Sequence, residues 1–357
     1  MKKLQNDYYP HFSAEDYCLV VNDHIVYKYI YNTEKFERYF QIPPNGEGLV
    51  ATIKDKIARS ALVRKLNKGM GLGHVIELPS KVVLVIYDKV YRFDPAKDKN
   101  VATPIFDFSN SNILPPLRNG IAITPDGNVY FGEYANQKGR EINIIGIVNN
   151  GTELQIEHTF SGEEIKHIHG VYWDEFRERI WITTGDSDQQ SWFYYTEDNF
   201  TSIEKFNGGS QTWRAVSLMF FNDALVWGMD AGKDAAADDI NYIYRFDLHT
   251  NELAQVAKID APAYHCTKTQ SGGYYLGVNY EPGCQQAIAE EAAIWFSADG
   301  KNWRKIKAFP YQASPEINGS KYAYVYQPIG TVPDDKFLFT TTNTAHFSGK
   351  LFTLEKH

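Results

Sequence analysis

Short apolar runs of the length and alternation of β-strands recur along this chain, each closed by Gly, Pro, Asn or Asp. From residue 74 onward they fall into groups. The first group is 74–78, 82–87, 89–94 and 101–108. The second is 119–124, 128–134, 141–148 and 153–160, with Pro125-Asp126-Gly127 as a hairpin turn. The third is 167–173, 179–184, 192–196 and 201–206; the fourth is 214–220, 224–229, 241–247 and 252–259. The fifth is 263–269, 273–279, 292–297 and 303–309. The last, 322–327, 336–342 and 350–355, lacks a fourth strand. Residues 17–21, 24–31 and 36–42 supply further strands, either one to complete the last group or most of another.

A small signature marks the second strand of most groups. A Gly or Thr is followed within two residues by a polar side chain: Gly132-Glu133, Gly185-Asp186, Gly228-Met229-Asp230, Gly277-Val278-Asn279 and Thr341-Thr342-Asn343, preceded by a weaker instance at Asp88. Successive polar members are 45, 53, 44, 49 and 64 residues apart. Strand-built repeats near 50 residues are the mark of a β-propeller. The expected fold is therefore all-β, a β-propeller of six or seven four-stranded blades. It forms one domain over 1–357, its ring closed by N- and C-terminal strands so that no edge is left bare.

One segment departs from this pattern. Residues 52–67 place Ile53, Ile57, Ala61, Leu62 and Leu66 on one face, which predicts a short helix with a basic outer face. The Gly69-Met70-Gly71-Leu72-Gly73 run follows that helix and precedes a strand, the reverse of the order of a phosphate-cradling loop.

Composition narrows the function. A net charge of −8 argues against a nucleic-acid partner, whose phosphates require a basic surface. Cys18, Cys266 and Cys284 are too few for a disulfide framework. Neither an apolar leader after Lys2-Lys3 nor a membrane-length apolar run is present, so the expected location is cytoplasmic. Aromatic residues make up 15% of the chain; they suit strand packing, and Tyr and Trp also suit sugar surfaces.

Ser297-Ala298-Asp299-Gly300-Lys301-Asn302-Trp303 fits the pattern S-x-D-G-x-x-W, and Thr196-Glu197-Asp198-Asn199-Phe200-Thr201-Ser202-Ile203 is a looser copy. Both fall between the third and fourth strands of a group. In this the chain resembles the Asp-box (BNR-repeat) propellers, whose best-known members are sialidases. The resemblance implies the fold and a glycan ligand. It carries over no sialidase catalytic residue: the F/Y-R-I-P motif is absent, its nearest string being Arg179-Ile180-Trp181.

On a propeller, the starts of the innermost strands and the ends of the second strands open on one face. The first set holds His74, Asn119, His167 with His169, Trp213 with Arg214, His265, and Tyr324 with Tyr326. The second holds Asp88, Glu133, Asp186, Asp230, Asn279 and Asn343. The i, i+2 spacing of His167 and His169 aims both imidazoles to one side of a strand. With Asp186 and Asp230 they make a candidate site for one divalent cation of open identity. Two long loops, Asp230 to Asp239 and Tyr280 to Glu291 with Glu281, would wall the mouth, and the polar loop from Gly185 to Trp192 could bind sugar hydroxyls.

Three functions fit these residues. The first is a carbohydrate-active enzyme acting on a glycan or small anionic carbohydrate. As a lyase it would use His169 or His265 as base, Arg214 or a metal as stabiliser, and Tyr324 or Tyr326 as acid. As a hydrolase it would use Glu133 with Asp186 or Asp230. In either case His74, Asn119, Trp192, Trp213, Asn279 and Glu281 would contact substrate. The second is a non-catalytic glycan- or protein-binding propeller. The third is a lactonase-like hydrolase with its metal on Glu133, Asn119 and Asp230. The oligomeric state stays open.

Overall fold

In a computed structural model, residues 1–43, 73–137, 139–314 and 321–354 are described. The expected helix over 52–67 lies outside them. The described chain is an all-β propeller whose only helical elements are three short 3-10 turns. No helix among the described residues is long and apolar enough to cross a membrane.

Five blades stand as discrete four-stranded sheets, not six or seven. Four are simple meanders, opening with innermost strands His74–Glu77, Ile121–Ile123, His167–Asp174 and Met219–Phe221. The fifth combines Tyr324–Tyr326, Phe337–Thr342 and Lys350–Leu354 with Lys2–Asn6. The strands that would make the other blades are merged. The meander Ala263–Thr269 to Arg304–Pro310 and the meander Tyr9–Ser13 to Lys35–Gln41 share one nine-stranded sheet. Their join is Ile329–Val332, which pairs in parallel with Phe12 and Ser13 on one side and with Lys268 and Thr269 on the other. Gly330 sits at the join with φ +85°, and a Cβ there would lie 2.3 Å from the Ser13 carbonyl oxygen. Only glycine tolerates both conditions.

Two N-terminal strands fall outside the sequence expectation. The strand completing the last sheet is Lys2–Asn6, upstream of the three considered for that place. Its exposed, lysine-bearing pattern is that of an outer edge strand and carries little hydrophobic signal. Tyr9–Ser13 is interrupted by Pro10 and His11, which mask its period, yet its residues are largely buried.

The aromatic residues pack mainly between neighbouring sheets. Trp181, Phe193, Trp213 and Trp227 belong to one such cluster. Phe40 stacks on Phe93 at 4.3 Å, and Tyr275 on Phe337 at 4.0 Å. The turns at Asp198 and Asp299 are closed by their carboxylates. Asp299 accepts from the backbone N–H of Lys301 at 2.9 Å and of Asn302 at 2.8 Å, and Asp198 accepts from that of Ser202 at 2.9 Å.

Candidate active site and metal centre

His167 and His169 open the innermost strand of their blade, where the pairing register shifts between Ile168 and Gly170. Asp186 follows the end of the adjacent strand, directly after Gly185. Gly185 is required here, since a Cβ would stand 2.3 Å from the His169 ring. The Nδ1 of His167 lies 2.7 Å from the Ala135 carbonyl oxygen, and the Nδ1 of His169 lies 3.2 Å from that of Ala215. A carbonyl only accepts, so each Nδ1 carries the proton and each Nε2 keeps a lone pair.

Those lone pairs converge. The two Nε2 atoms are 3.1 Å apart, and they stand 3.1 and 3.2 Å from the same Asp186 Oδ1. Three acceptors at such distances repel one another unless a cation or a proton sits among them. Among the described residues this is the one His, Cys, Asp and Glu grouping compact enough to hold a metal ion. Burial holds His169 down at about 4, so it is neutral at pH 7. Burial alone would raise Asp186; a proton shared between its Oδ1 and the Nε2 atoms of His167 and His169, in the place a cation would take, reverses this and holds its carboxyl well below the usual range. Tyr134 stacks on His167 at 4.2 Å.

Cations already brace Asp186 from outside. Lys166 Nζ donates to its Oδ2 at 2.6 Å, and Arg214 Nη2 stands 3.4 Å from its Oδ1. Gln211 Nε2 donates to its backbone carbonyl at 2.7 Å. Arg214 also meets Asp230 at 3.4 Å and Asp234 at 3.0 Å. Its guanidinium is a shared counter-charge for three carboxylates.

Asp230 is separate from the metal grouping. Its Oδ1 is buried and makes no hydrogen bond among the described residues. Burial pushes its pKa well up; Arg214 opposes this, and the charges of Glu281, Asp186 and Asp234 add to it. Burial of this kind favours the neutral form of the carboxyl, against the pull of Arg214. Glu281 accepts from the Tyr264 hydroxyl and from the backbone N–H of Lys233 at 3.1 Å.

Other predicted residues have structural tasks. Glu133 is fully buried. It accepts from the backbone N–H groups of Leu114 at 2.7 Å and Asn143 at 2.9 Å, from the Asn143 amide at 2.9 Å, and from Arg140 at 3.1 Å. A carboxylate so occupied is a clamp, with no lone pair aimed at a mouth. Asn279 Oδ1 accepts from the backbone N–H of Val325 at 2.8 Å. Trp213 is buried in a stack with Trp227 at 4.9 Å, and Trp192 has Lys205 over its ring at 3.5 Å. Neither indole offers the free face a sugar would need.

His74, His265 and Tyr326 gather elsewhere, around Arg118. The guanidinium lies 4.6 Å from the Tyr326 ring centre, and its charge bears on both imidazoles. Tyr324 sits between the two regions, 5.5 Å from Tyr326 and 5.6 Å from Tyr264 by ring centres. Asn119 donates to the Gln327 carbonyl at 3.3 Å. Sequence reading missed Lys166, Gln211, Asp234 and Arg118. Lys166 and Arg118 each precede a predicted site residue, and Asp234 lies in a loop expected to wall the mouth, so adjacency was the available signal.

A cleft of about 870 Å³ opens over the Asp186 cluster, lined by Lys166, Asp186, Asp188, Gln211 and Asp234 among others. A second cavity of about 720 Å³ lies at the far ends of the innermost strands, and Asn119 is the only predicted site residue on its wall.

No protein-family model matches the chain, and no curated protein matches it. Solved structures do resemble it. A catalytically inactive virginiamycin B lyase from Staphylococcus aureus with quinupristin superposes with a TM-score of 0.61 at 14% identity, covering 100% of this chain and 98% of that one. An oligogalacturonate lyase in complex with manganese gives 0.58 at 9% identity, covering 99% and 92%. A GH74 enzyme of Niastella koreensis gives 0.57 at 12% identity, covering 98% and 53%. At such identities the likeness establishes the fold.

Proposed function

We propose that the chain is a carbohydrate-active enzyme of the lyase type, acting on an anionic glycan, with one divalent cation held by His167, His169 and Asp186. The convergence of two imidazole lone pairs and one carboxylate oxygen on a single point carries this reading. Mixed nitrogen and oxygen donors of this kind suit manganese, iron or zinc. When bound, such an ion supplies a Lewis acid toward an oxygen of the sugar. The manganese in one lyase propeller of like fold is consistent with the donor set.

The chain's own groups supply the rest. Lys166 and Arg214 hold the Asp186 carboxylate and Gln211 holds its backbone carbonyl, with Oδ1 toward the imidazoles. This reading assigns His265, which burial keeps unprotonated at neutral pH, to take the proton α to a uronate carboxylate. Tyr324, whose ring lies 5.5 Å from that of Tyr326 and 5.6 Å from that of Tyr264, is the phenol this reading assigns to protonating the leaving oxygen.

A hydrolase reading has one observation of its own. Asp186 and Asp230 are carboxyl groups pushed in opposite directions, the arrangement of an ionised and a protonated partner. The test is elemental analysis of purified protein and of His169→Ala, followed by incubation with polyuronates. Metal near one per chain, lost in the variant, together with the ultraviolet absorbance of an unsaturated uronate, is the expected result. New reducing ends without that absorbance would favour the hydrolase. Glycan binding without turnover would leave a binding module.

A further inference from the structure

Among the described residues Arg118 lies inside the ring with no carboxylate beside it. Arg140, Arg177, Arg214 and Arg245 each sit on a carboxylate, at 3.1 Å, 2.7 Å, 3.0 Å and within hydrogen-bonding reach of Asp223 respectively. Among the described residues no Asp or Glu pairs with Arg118. Its Nη2 has one long bond, 3.4 Å, to the Pro10 carbonyl, and its Nε is buried with no hydrogen-bond partner. The groups on which its charge acts are Tyr9, His11, His74, His265 and Tyr326. These come from the innermost strands of four different β-meanders, so Arg118 stands at the axis of the ring.

Burial holds all three histidines unprotonated, His74 and His265 at about 3 and His11 well below its ordinary value. The axial cluster thus carries one positive charge. Two of its imidazole nitrogens, His11 Nε2 and His265 Nδ1, are buried without a hydrogen-bond partner, each on a side chain about 4% exposed. A half-buried guanidinium with no carboxylate beside it, its Nε shut off from solvent, has lost part of its hydration, and the orphaned buried imidazole atoms nearby add to that cost. A ligand with one negative charge and planar oxygens answers both, because a guanidinium binds a carboxylate in a two-toothed fork and neutral imidazoles and phenols complete its hydrogen bonds.

We propose that Arg118, with Tyr9, His11, His74, His265 and Tyr326, forms an axial receptor for one carboxylate group. One formal charge matches a carboxylate better than a phosphate dianion. The carboxylate belongs either to an acidic sugar or to a small free acid; the receptor's chemistry is the same for both. It stands on these channel residues and does not depend on the metal site.

The test is thermal unfolding of the whole chain in chelator, at fixed pH and ionic strength, with sodium glucuronate, sodium acetate, sodium phosphate or glucose. Chelation separates this result from that of the metal centre. A carboxylate at a hundred times its Kd should raise Tm by roughly 4 °C for a chain of this length, and glucose should not. Arg118→Gln should abolish the rise while its ligand-free Tm falls by no more than about 2 °C, since a charge without a partner is being removed. A rise with glucuronate alone assigns a sugar acid; an equal rise with acetate assigns a small free acid. No rise in the wild type, a rise equal to that of glucose, a larger rise with phosphate, or a rise retained in Arg118→Gln overturns the proposal. Should Arg118→Gln fail to fold, the wild-type comparison decides alone.

Discussion

Glu133 and Asp186 occupy the same place in successive blades, one residue past a glycine that ends the second strand. Their surroundings are opposite. Glu133 is enclosed by two backbone N–H groups, an amide and a guanidinium, so every lone pair has a donor and the carboxylate holds the loop at Leu114. Asp186 has a lysine donor on one oxygen, while the other, with Arg214 at 3.4 Å, faces the two imidazole nitrogens. Satisfied polar groups stabilise, whereas a site with mismatched donors and acceptors is built for something that arrives later. Position in the repeat brings a polar residue to the mouth, and the neighbours decide whether it becomes a fastener or a reagent.

The comparison can be broken most severely at Asp186. Asp186→Asn should reduce bound metal to near zero and turnover by at least roughly 10²-fold, with little change in unfolding midpoint. Metal retained at wild-type stoichiometry would put Asp186 in the same class as Glu133. The reciprocal change, Glu133→Gln, should cost about 3 kcal/mol in urea denaturation, because Arg140 loses its partner and one amide donor meets donors, while metal content stays unchanged. An unaltered midpoint would remove the clamp.

The axial histidines sharpen the contrast through pH. His74 and His265 titrate at about 3 in the fold and near 6.5 when unfolded. Between those values the unfolded chain binds more protons, so stability is full above 6.5 and declines as the pH falls toward 3. The slope is about 1.4 kcal/mol per pH unit for each histidine. Urea midpoints that do not move between pH 7 and pH 5 would contradict their burial as neutral imidazoles. The smallest effect belongs to a turn far from the mouth. Asp299→Ala should cost about 1–2 kcal/mol by releasing the N–H groups of Lys301 and Asn302, with metal content untouched. An unchanged midpoint would show that the carboxylate does not hold the turn.

Much of the architecture was legible in residue order. Alternating runs closed by Gly and Asp specify strands locally, and their recurrence near 50 residues specifies blades. The merging of two meanders was not legible, because Ile329–Val332 reads as another short apolar run and its parallel partners lie about 60 and 320 residues away in the chain. The edge strand Lys2–Asn6 was hidden for the opposite reason: an exposed edge needs no apolar face.

The chain's linear pattern by itself determined most of the strands, roughly where they stop, and that polar side chains sit at the stops, since these follow from period, propensity and turn chemistry within a few residues. Only the tertiary structure decided which of those side chains find donors. It divided the predicted cluster into a lone-pair trap at His167, His169 and Asp186 and an axial group of His74, His265 and Tyr326 around Arg118, which was not predicted, and it gave Glu133 and Trp213 to packing and support. The physical reason is range. Strand formation is settled by near neighbours in sequence, whereas the satisfaction of a buried polar group depends on backbone and charges that the fold brings in from other blades.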